Sequence, residues 1–183
     1  GQGMGTIQND DVAVIPTPTA GQVIINEALV SFAAGTPTRN DFVELYNTTG
    51  QTLDISGLVI SYRTGSNTTA STVTLPGTVG SGTTLISANG YFLIVAGTDT
   101  FGVTADFNAS GGPGGFDLTG NAGGIKIELN AVKLDGLSYK DQPATTLNAP
   151  FDTFGEGTVF VANSASANRD IIRSPNATDT NNN

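Results

Sequence analysis

The chain has 183 residues, which is enough for one well-buried domain and short for two full ones. Its formal net charge is −9, with 16 acidic against 7 basic residues. Such a surface repels phosphate backbones, so we expect no binding to nucleic acid. The chain has no Cys and no His, which excludes disulfides, thiolate chemistry, histidine-based triads and imidazole zinc sites. No apolar run approaches the ~20 residues that cross a bilayer, so we expect no membrane insertion.

The first 21 residues have the composition expected of a junction between two domains. Residues 5–11, Gly-Thr-Ile-Gln-Asn-Asp-Asp, resemble the closing strand of Calx-β-type repeats. Residues 15–21, Ile-Pro-Thr-Pro-Thr-Ala-Gly, follow, and each Pro fixes its own φ and holds the preceding residue extended. We therefore predict that residues 1–20 are the tail of a preceding repeat plus a Pro/Thr linker, and that residues 21–183 form a separate domain.

From residue 22 onward, short apolar runs alternate with turn residues, which is typical of β-sandwiches. Residues 23–25 open the series. Residues 41–47 alternate, with Val43 and Leu45 on one face and with polar or aromatic side chains on the other. Residues 91–95 are almost continuously apolar, which predicts a central strand covered on both sides.

The later runs follow the same pattern. Residues 53–62 and 125–129 alternate, and the second of these places Ile and Leu inward and Lys and Glu outward. Asn130-Ala131 is predicted to be a hairpin turn into residues 132–137, and residues 159–161 are a late short strand. No window keeps a helical apolar stripe, so the predicted fold class is all-β.

Four stretches are predicted to lie outside the strands. Residues 64–72 are polar and read as a loop, and Gly123-Gly124 reads as a bend before a strand. The run Ser-Gly-Gly-Pro-Gly-Gly at residues 110–115 is either a loop tip or a place where a ligand approaches the backbone closely. Residues 174–183 are polar and are expected to fray.

Three motifs together resemble the lamin-tail domain family: Ile-Ile-Asn-Glu at residues 24–27, Asp-Phe-Val-Glu-Leu-Tyr-Asn at 41–47 and Leu-Asp-Ile-Ser-Gly at 53–57. Later segments, up to Arg173 and the Asp-Thr-Asn-Asn-Asn end, are similar to the family as well. The resemblance implies an immunoglobulin-like β-sandwich inside a larger secreted or cell-surface bacterial protein, whose activity lies in other domains. Phe42 and Leu58 stand where the family often has Trp, so an aromatic surface platform is less expected here.

The remaining enzyme chemistry for such a chain is a carboxylate pair, as in glycoside hydrolysis. Four carboxylates are the candidates for it: Glu27, Asp41, Glu44 and Asp54. The alternative is structural. Asp54 and Ser56 suit a turn in which short side chains bond the nearby backbone, and Glu44 would pair with an arginine. The candidate partners of Glu44 are Arg39, Arg63 and Arg173. We favour the structural alternative and predict no catalytic residue.

Calcium is the ligand that the composition suits best, because hard cations take carboxylate and carbonyl oxygens. Asp10 and Asp11 resemble a position where repeat junctions hold calcium, and Asp179 with residues 181–183 is a second candidate. A solvated loop is the alternative at both places, so we predict no bound cofactor and treat calcium as a hypothesis. Four N-glycosylation patterns, beginning at Asn47, Asn67, Asn108 and Asn176, are expected by chance in so Asn- and Thr-rich a chain.

The function predicted from these observations is that of a non-catalytic, extracellular accessory domain, acting as a spacer or as an adhesion module. Its partners would be other domains of the same chain and a cell-surface protein or polysaccharide. The alternatives are a calcium-dependent adhesion module and a carboxylate-based carbohydrate-active enzyme.

Overall fold

A computed structural model describes residues 14–31, 41–64, 70–96, 102–109, 118, 122–140, 154–161 and 169–173. The strands in these ranges are β1 (Val23–Ser31), β2 (Phe42–Asn47), β3 (Leu53–Asp54), β4 (Val59–Thr64), β5 (Ser71–Thr74), β6 (Leu85–Ile86), β7 (Tyr91–Val95), β8 (Phe107–Asn108), β9 (Ala122–Leu129), β10 (Val132–Lys140), β11 (Phe160–Val161) and β12 (Arg169–Ile172).

The strands form two five-stranded sheets and one small ribbon. Sheet I has the order β12-β1-β2-β7-β8, sheet II has the order β11-β10-β9-β4-β5, and β3 pairs with β6. Pairing is antiparallel except for β7–β8 and β10–β11, which are parallel. The inward side chains of both sheets join in one apolar core, so the predicted all-β sandwich is confirmed.

The period-two patterns place the core as predicted. Val43 and Leu45 are fully buried between the sheets, and each contributes roughly 1.5–3 kcal/mol by leaving water. Ile125 and Ile127 belong to the same core from β9, while Lys126 and Glu128, which alternate with them, point outward. Their Nζ and Oε1 atoms form a salt bridge of 2.7 Å on the outer face of sheet II.

The hairpin between β9 and β10 turns at Asn130 and Ala131, as predicted. Both residues have positive φ, 51° and 61°. This is the geometry of a type I′ turn, whose twist matches that of the flanking strands. The turn places Val132 opposite Leu129, and a register shift between Lys133 and Asp135 then brings Leu137 opposite Ile125.

Two loop predictions are wrong. Gly123 and Gly124 do not form a bend but lie inside β9, where Gly123 is the cross-strand partner of Tyr139. The tyrosine ring covers this glycine so closely that a Cβ there would lie 2.5 Å from Oη. Residues 71 and 72 belong to β5 and pair with β4. A run of Ser and Thr can form an edge strand when the backbone of an adjacent strand is available for hydrogen bonding. Residues 65–69 and 110–115 lie outside the described ranges.

Strand β7 has the predicted place inside its sheet, between β2 and β8. Ile94 and Val95 are buried, but Tyr91 at the start of the strand is 47% exposed. The prediction that this strand is covered on both sides is therefore wrong at Tyr91. The reason is that Tyr91 lies on the face of sheet I opposite the core residues Phe92 and Ile94, beside Tyr46 of β2.

The described part of the predicted linker contacts the sandwich. The carbonyl of Pro16 accepts a hydrogen bond of 2.8 Å from the amide of Asp54, and Pro18 is buried. Gly21 donates to the carbonyl of Leu134 in β10 at 2.9 Å. The predicted domain boundary near residue 20 stays a prediction, and the Calx-β-like residues 5–11 lie outside the described residues.

Candidate functional sites

The structure brings together two of the four candidate carboxylates. Glu27 and Glu44 are cross-strand partners in β1 and β2, next to a register shift between Ile25 and Glu27. Asp41 lies just before β2, and its carboxylate accepts the amide of Leu118. Asp54 lies in β3 and has its own set of donors, described below.

Glu44 has an amide as a partner. Its Oε1 accepts a hydrogen bond of 2.7 Å from Nδ2 of Asn26. The expected pairing of Glu44 with Arg173 is wrong, because Arg173 forms its ion pair with Asp135. Arg63 lies on sheet II, with its guanidinium 5.2 Å from the ring centroid of Phe154, and is not the partner either. Arg39, the third candidate, lies outside the described residues.

Asp54 and Ser56 form the predicted turn. Oδ1 of Asp54 accepts the amide of Ser56 at 2.9 Å as well as its hydroxyl, and Oδ2 accepts the amide of Gly82 at 2.7 Å. Burial raises the pKa of Asp54, but these three hydrogen bonds together outweigh it and leave the pKa below its usual value. The group is thus an ionised acceptor at neutral pH, which suits it to holding the turn and not to donating a proton.

Asn47 has a structural role at the end of β2. Its fully buried amide donates to the carbonyls of Gln51 and Ser87, at 2.8 and 2.9 Å. Its Oδ1 accepts the amide and the hydroxyl of Thr49. The buried, hydrogen-bonded side chain of Asn47 leaves no room for a glycan. The N-glycosylation pattern that begins at Asn47 is therefore not a glycosylation site in the folded domain.

A deeply buried ion pair joins Asp135 and Arg173, and this pairing was not predicted from the sequence. Nη2 of Arg173 lies 2.7 Å from both carboxylate oxygens of Asp135, and the side chains are 6% and 0% exposed. Asp135 Oδ2 also accepts the amide of Ile25 at 2.6 Å, and Arg173 Nε donates to the Ile25 carbonyl at 2.7 Å. The pair thus holds both backbone groups of Ile25, next to the register shift in β1, and connects the two sheets.

A signal for this pair does exist in the sequence. Asp135 stands between Leu134 and Leu137, in the inward-facing part of a strand where an unpaired charge would be costly. The register shift between Lys133 and Asp135 hides it, because simple alternation from Val132 assigns Asp135 to the outer face.

The outer face of sheet I carries an aromatic pair. Tyr46 of β2 and Tyr91 of β7 are cross-strand partners, with ring centroids 4.8 Å apart and planes tilted by 43°. Glu44 lies two residues before Tyr46 and therefore on the same face. An exposed aromatic surface next to a hydrogen-bonding carboxylate can bind a ligand that has both apolar and hydroxyl-bearing faces.

Two further features of the described residues concern metal binding and membrane crossing. Among the described ranges, no group of three or more Asp and Glu residues is placed to hold a metal ion. The calcium candidates Asp10, Asp11 and Asp179 lie outside those ranges, so calcium binding stays a hypothesis. In the part of the chain that the structure describes, no helix is long and apolar enough to cross a membrane.

The two sheets face each other, consist mostly of antiparallel strands and share one core. The protein is therefore an immunoglobulin-like β-sandwich. The particular family follows from comparison with family models. The Lamin Tail Domain model matches residues 16–161, so the chain belongs to the lamin tail domain family. Comparison with curated proteins gives no significant match.

Proposed function

We propose that this chain is a non-catalytic accessory domain of a larger secreted or cell-surface bacterial protein, and that it acts as an adhesion module for a polysaccharide. Membership in the lamin tail domain family supports a non-catalytic role. Two of the four candidate carboxylates support it too, because Asp54 accepts the amides of Ser56 and Gly82, and Asp41 accepts the amide of Leu118.

The observation that carries the polysaccharide proposal is the Tyr46–Tyr91 pair. Tyr91 is about half exposed on the outer face of sheet I, and Tyr46 beside it widens the aromatic surface. Sugar rings present apolar C–H faces that pack on such rings, and their hydroxyls hydrogen-bond to carboxylates and to tyrosine hydroxyls. Two rigid aromatic side chains lose little conformational entropy on binding. A surface of this kind favours a neutral or weakly charged polysaccharide.

Retention of the purified chain on insoluble cellulose, chitin and peptidoglycan tests this proposal. We expect retention on at least one of them, and a Tyr91→Ala variant should bind about tenfold more weakly, as for a residue at the centre of an interface. Val132→Ala is the matched control, because Val132 is 56% exposed but lies at the hairpin of sheet II. Binding that is unaffected by Tyr91→Ala would contradict the proposed surface. No retention on any of the three would leave the spacer role as the better proposal.

A further inference from the structure

Strand β12 lies beyond the residues that the family model matches. The match ends at residue 161, whereas β12 spans Arg169–Ile172 and forms one edge of sheet I. It pairs antiparallel with the second half of β1, where Glu27 is opposite Ile172 and Ser31 is opposite Arg169. The edge of β1 is therefore covered by a segment that lies later in the chain than the matched residues.

The contacts of this segment have two parts. Its backbone supplies ladder hydrogen bonds to β1, and the amide of Arg173 continues them to the Asn26 carbonyl at 3.0 Å. Its side chains alternate: Ile171 is 7% exposed and joins the core, Ile172 is 49% exposed and Arg173 is buried again. This is the pattern of an extended peptide added to a sheet edge, where the main chain provides affinity and alternate side chains provide specificity.

Arg173 is the residue that restricts which strand can pair with this edge of β1. It meets a carboxylate, Asp135, that is fully buried in sheet II and that also accepts the amide of Ile25. A carboxylate in this place strongly disfavours any occupant that leaves it without a cation. The guanidinium also bonds the Ile25 carbonyl through Nε, which an ammonium group on a flexible stem cannot reproduce in the same geometry.

We propose that the edge of β1 and the carboxylate of Asp135 form a strand-acceptor site, whose ligand is an extended segment of the pattern Ile-x-Arg. In this chain residues 169–173 occupy the site in cis. The ligand that the same site takes in trans is the corresponding strand of a second copy of this chain. Covalent attachment keeps the local concentration of the cis strand high, so exchange becomes visible when that attachment is cut.

The test uses the whole chain with a protease recognition sequence inserted between residues 162 and 168. After cleavage, a fluorescent peptide with the sequence of residues 167–175 is added in excess, and its incorporation is followed by anisotropy. We expect the labelled peptide to replace the cleaved strand, and a peptide with Arg173→Gln to bind at least about 100-fold more weakly. In an Asp135→Asn chain this preference should shrink to a few-fold. A Glu128→Gln chain, altered on the outer face of sheet II, should keep the preference.

Three results would overturn the proposal. One is equal binding of the Arg and Gln peptides to the cleaved chain. Another is an unchanged preference in the Asp135→Asn chain. The third is loss of the near-ultraviolet circular dichroism of the sandwich on cleavage, since residues 169–173 would then be an inseparable part of the fold and not a ligand.

Discussion

Gly136 lies directly against the main chain at Phe154: a Cβ on this glycine would be 1.9 Å from the Phe154 carbonyl oxygen. Gly136 belongs to β10, and Phe154 follows later and is buried against the outer face of sheet II. Lys126 and Arg63 flank the ring, each 5.2 Å from its centroid. A glycine in a strand interior here marks the place where a second segment of backbone comes close.

This contact predicts that Gly136→Ala is strongly destabilising. The clash is with backbone and not with the end of a flexible side chain, so the segment at Phe154 must move, at a cost of about 1–3 kcal/mol or more. Urea unfolding at equilibrium measures it. Gly50→Ala is the matched control, because a Cβ there has nothing within 4 Å, and we expect it to be neutral or slightly stabilising. Equal stability of the two variants would contradict the contact.

The hairpin turn predicts a gain in stability from Ala131→Gly. Ala131 has a φ of 61°, a conformation that costs a Cβ-bearing residue roughly 1–2 kcal/mol. Glycine relieves this cost but loses more entropy on folding, so the net gain should be about 0.5–1 kcal/mol in the free energy of unfolding. The control is Ala88→Gly. Ala88 is exposed and its φ is not positive, so the same exchange there should lower stability.

The turn at Asp54 predicts a specific pH dependence. The pKa of Asp54 is lowered in the folded chain, so its ionised form contributes stability that is fully present above its unfolded pKa, near 3.8. This contribution is lost as the pH falls below that value and through the lowered pKa. The difference in unfolding free energy between the wild type and Asp54→Asn should therefore be constant near neutral pH and shrink as the pH falls below about 4.

Unfolding in urea at several pH values between about 2 and 7 gives that difference directly. Ser56→Ala removes the hydroxyl that bonds Oδ1 of Asp54 and should weaken the same pH dependence. A wild-type minus Asp54→Asn difference that stays the same across the range would contradict the lowered pKa.

The Asp135–Arg173 pair predicts a large and non-additive loss of stability. Asp135→Asn or Arg173→Gln leaves the other charge buried without its partner, which costs about 3–5 kcal/mol. The double variant should be more stable than the sum of the two losses predicts, by about 0.5–3 kcal/mol. The surface pair Lys126–Glu128 has the same 2.7 Å separation but side chains that are 22% exposed, so breaking it should cost about 1 kcal/mol or less. Similar costs for the two pairs would show that burial is not the cause.

Calcium is predicted to leave the melting temperature unchanged. The carboxylates of Asp41, Asp54 and Asp135 accept hydrogen bonds from the protein itself, which competes with coordination of a cation. Thermal unfolding in about 2 mM calcium and in EDTA, at one protein concentration, measures the effect. A rise of several degrees with calcium would contradict the prediction, because it requires a site on the folded chain. Asp10→Asn and Asp179→Asn variants would then locate that site.

The sequence predicts well whatever depends on local pattern. Alternation assigns Val43 and Ile127 to the core, and Asn130 is a residue that tolerates the positive φ of a two-residue turn. The turn formed by Asp54 and Ser56 spans three consecutive residues, so it can be recognised in the sequence without knowing any distant partner. These features fix the sandwich and its main hairpin.

The rest depends on partners that are far apart in the chain. Asp135 and Arg173 are separated by 38 residues, and Asp135 reaches Ile25 across 110. A register shift of one residue places Asp135 in the core, where simple alternation from Val132 would put it on the outer face. Gly123 reads as a bend until the ring of Tyr139 is known to cover it. The Tyr46–Tyr91 pair becomes visible only when the register of β2 and β7 is known.

The placement of β1 and β12 also has a mechanical consequence. They run antiparallel, and the last residues of β12 lie beside Glu27 and Asn26, near the start of β1. When the chain is pulled through the segments before residue 23 and after residue 173, the load therefore reaches this strand pair at one end. Hydrogen bonds in such an arrangement break one after another instead of sharing the force. The guanidinium–carboxylate contact of Arg173 lies at the end of the strand pair where the force is applied. We therefore expect that this ion pair must break before β12 separates from β1.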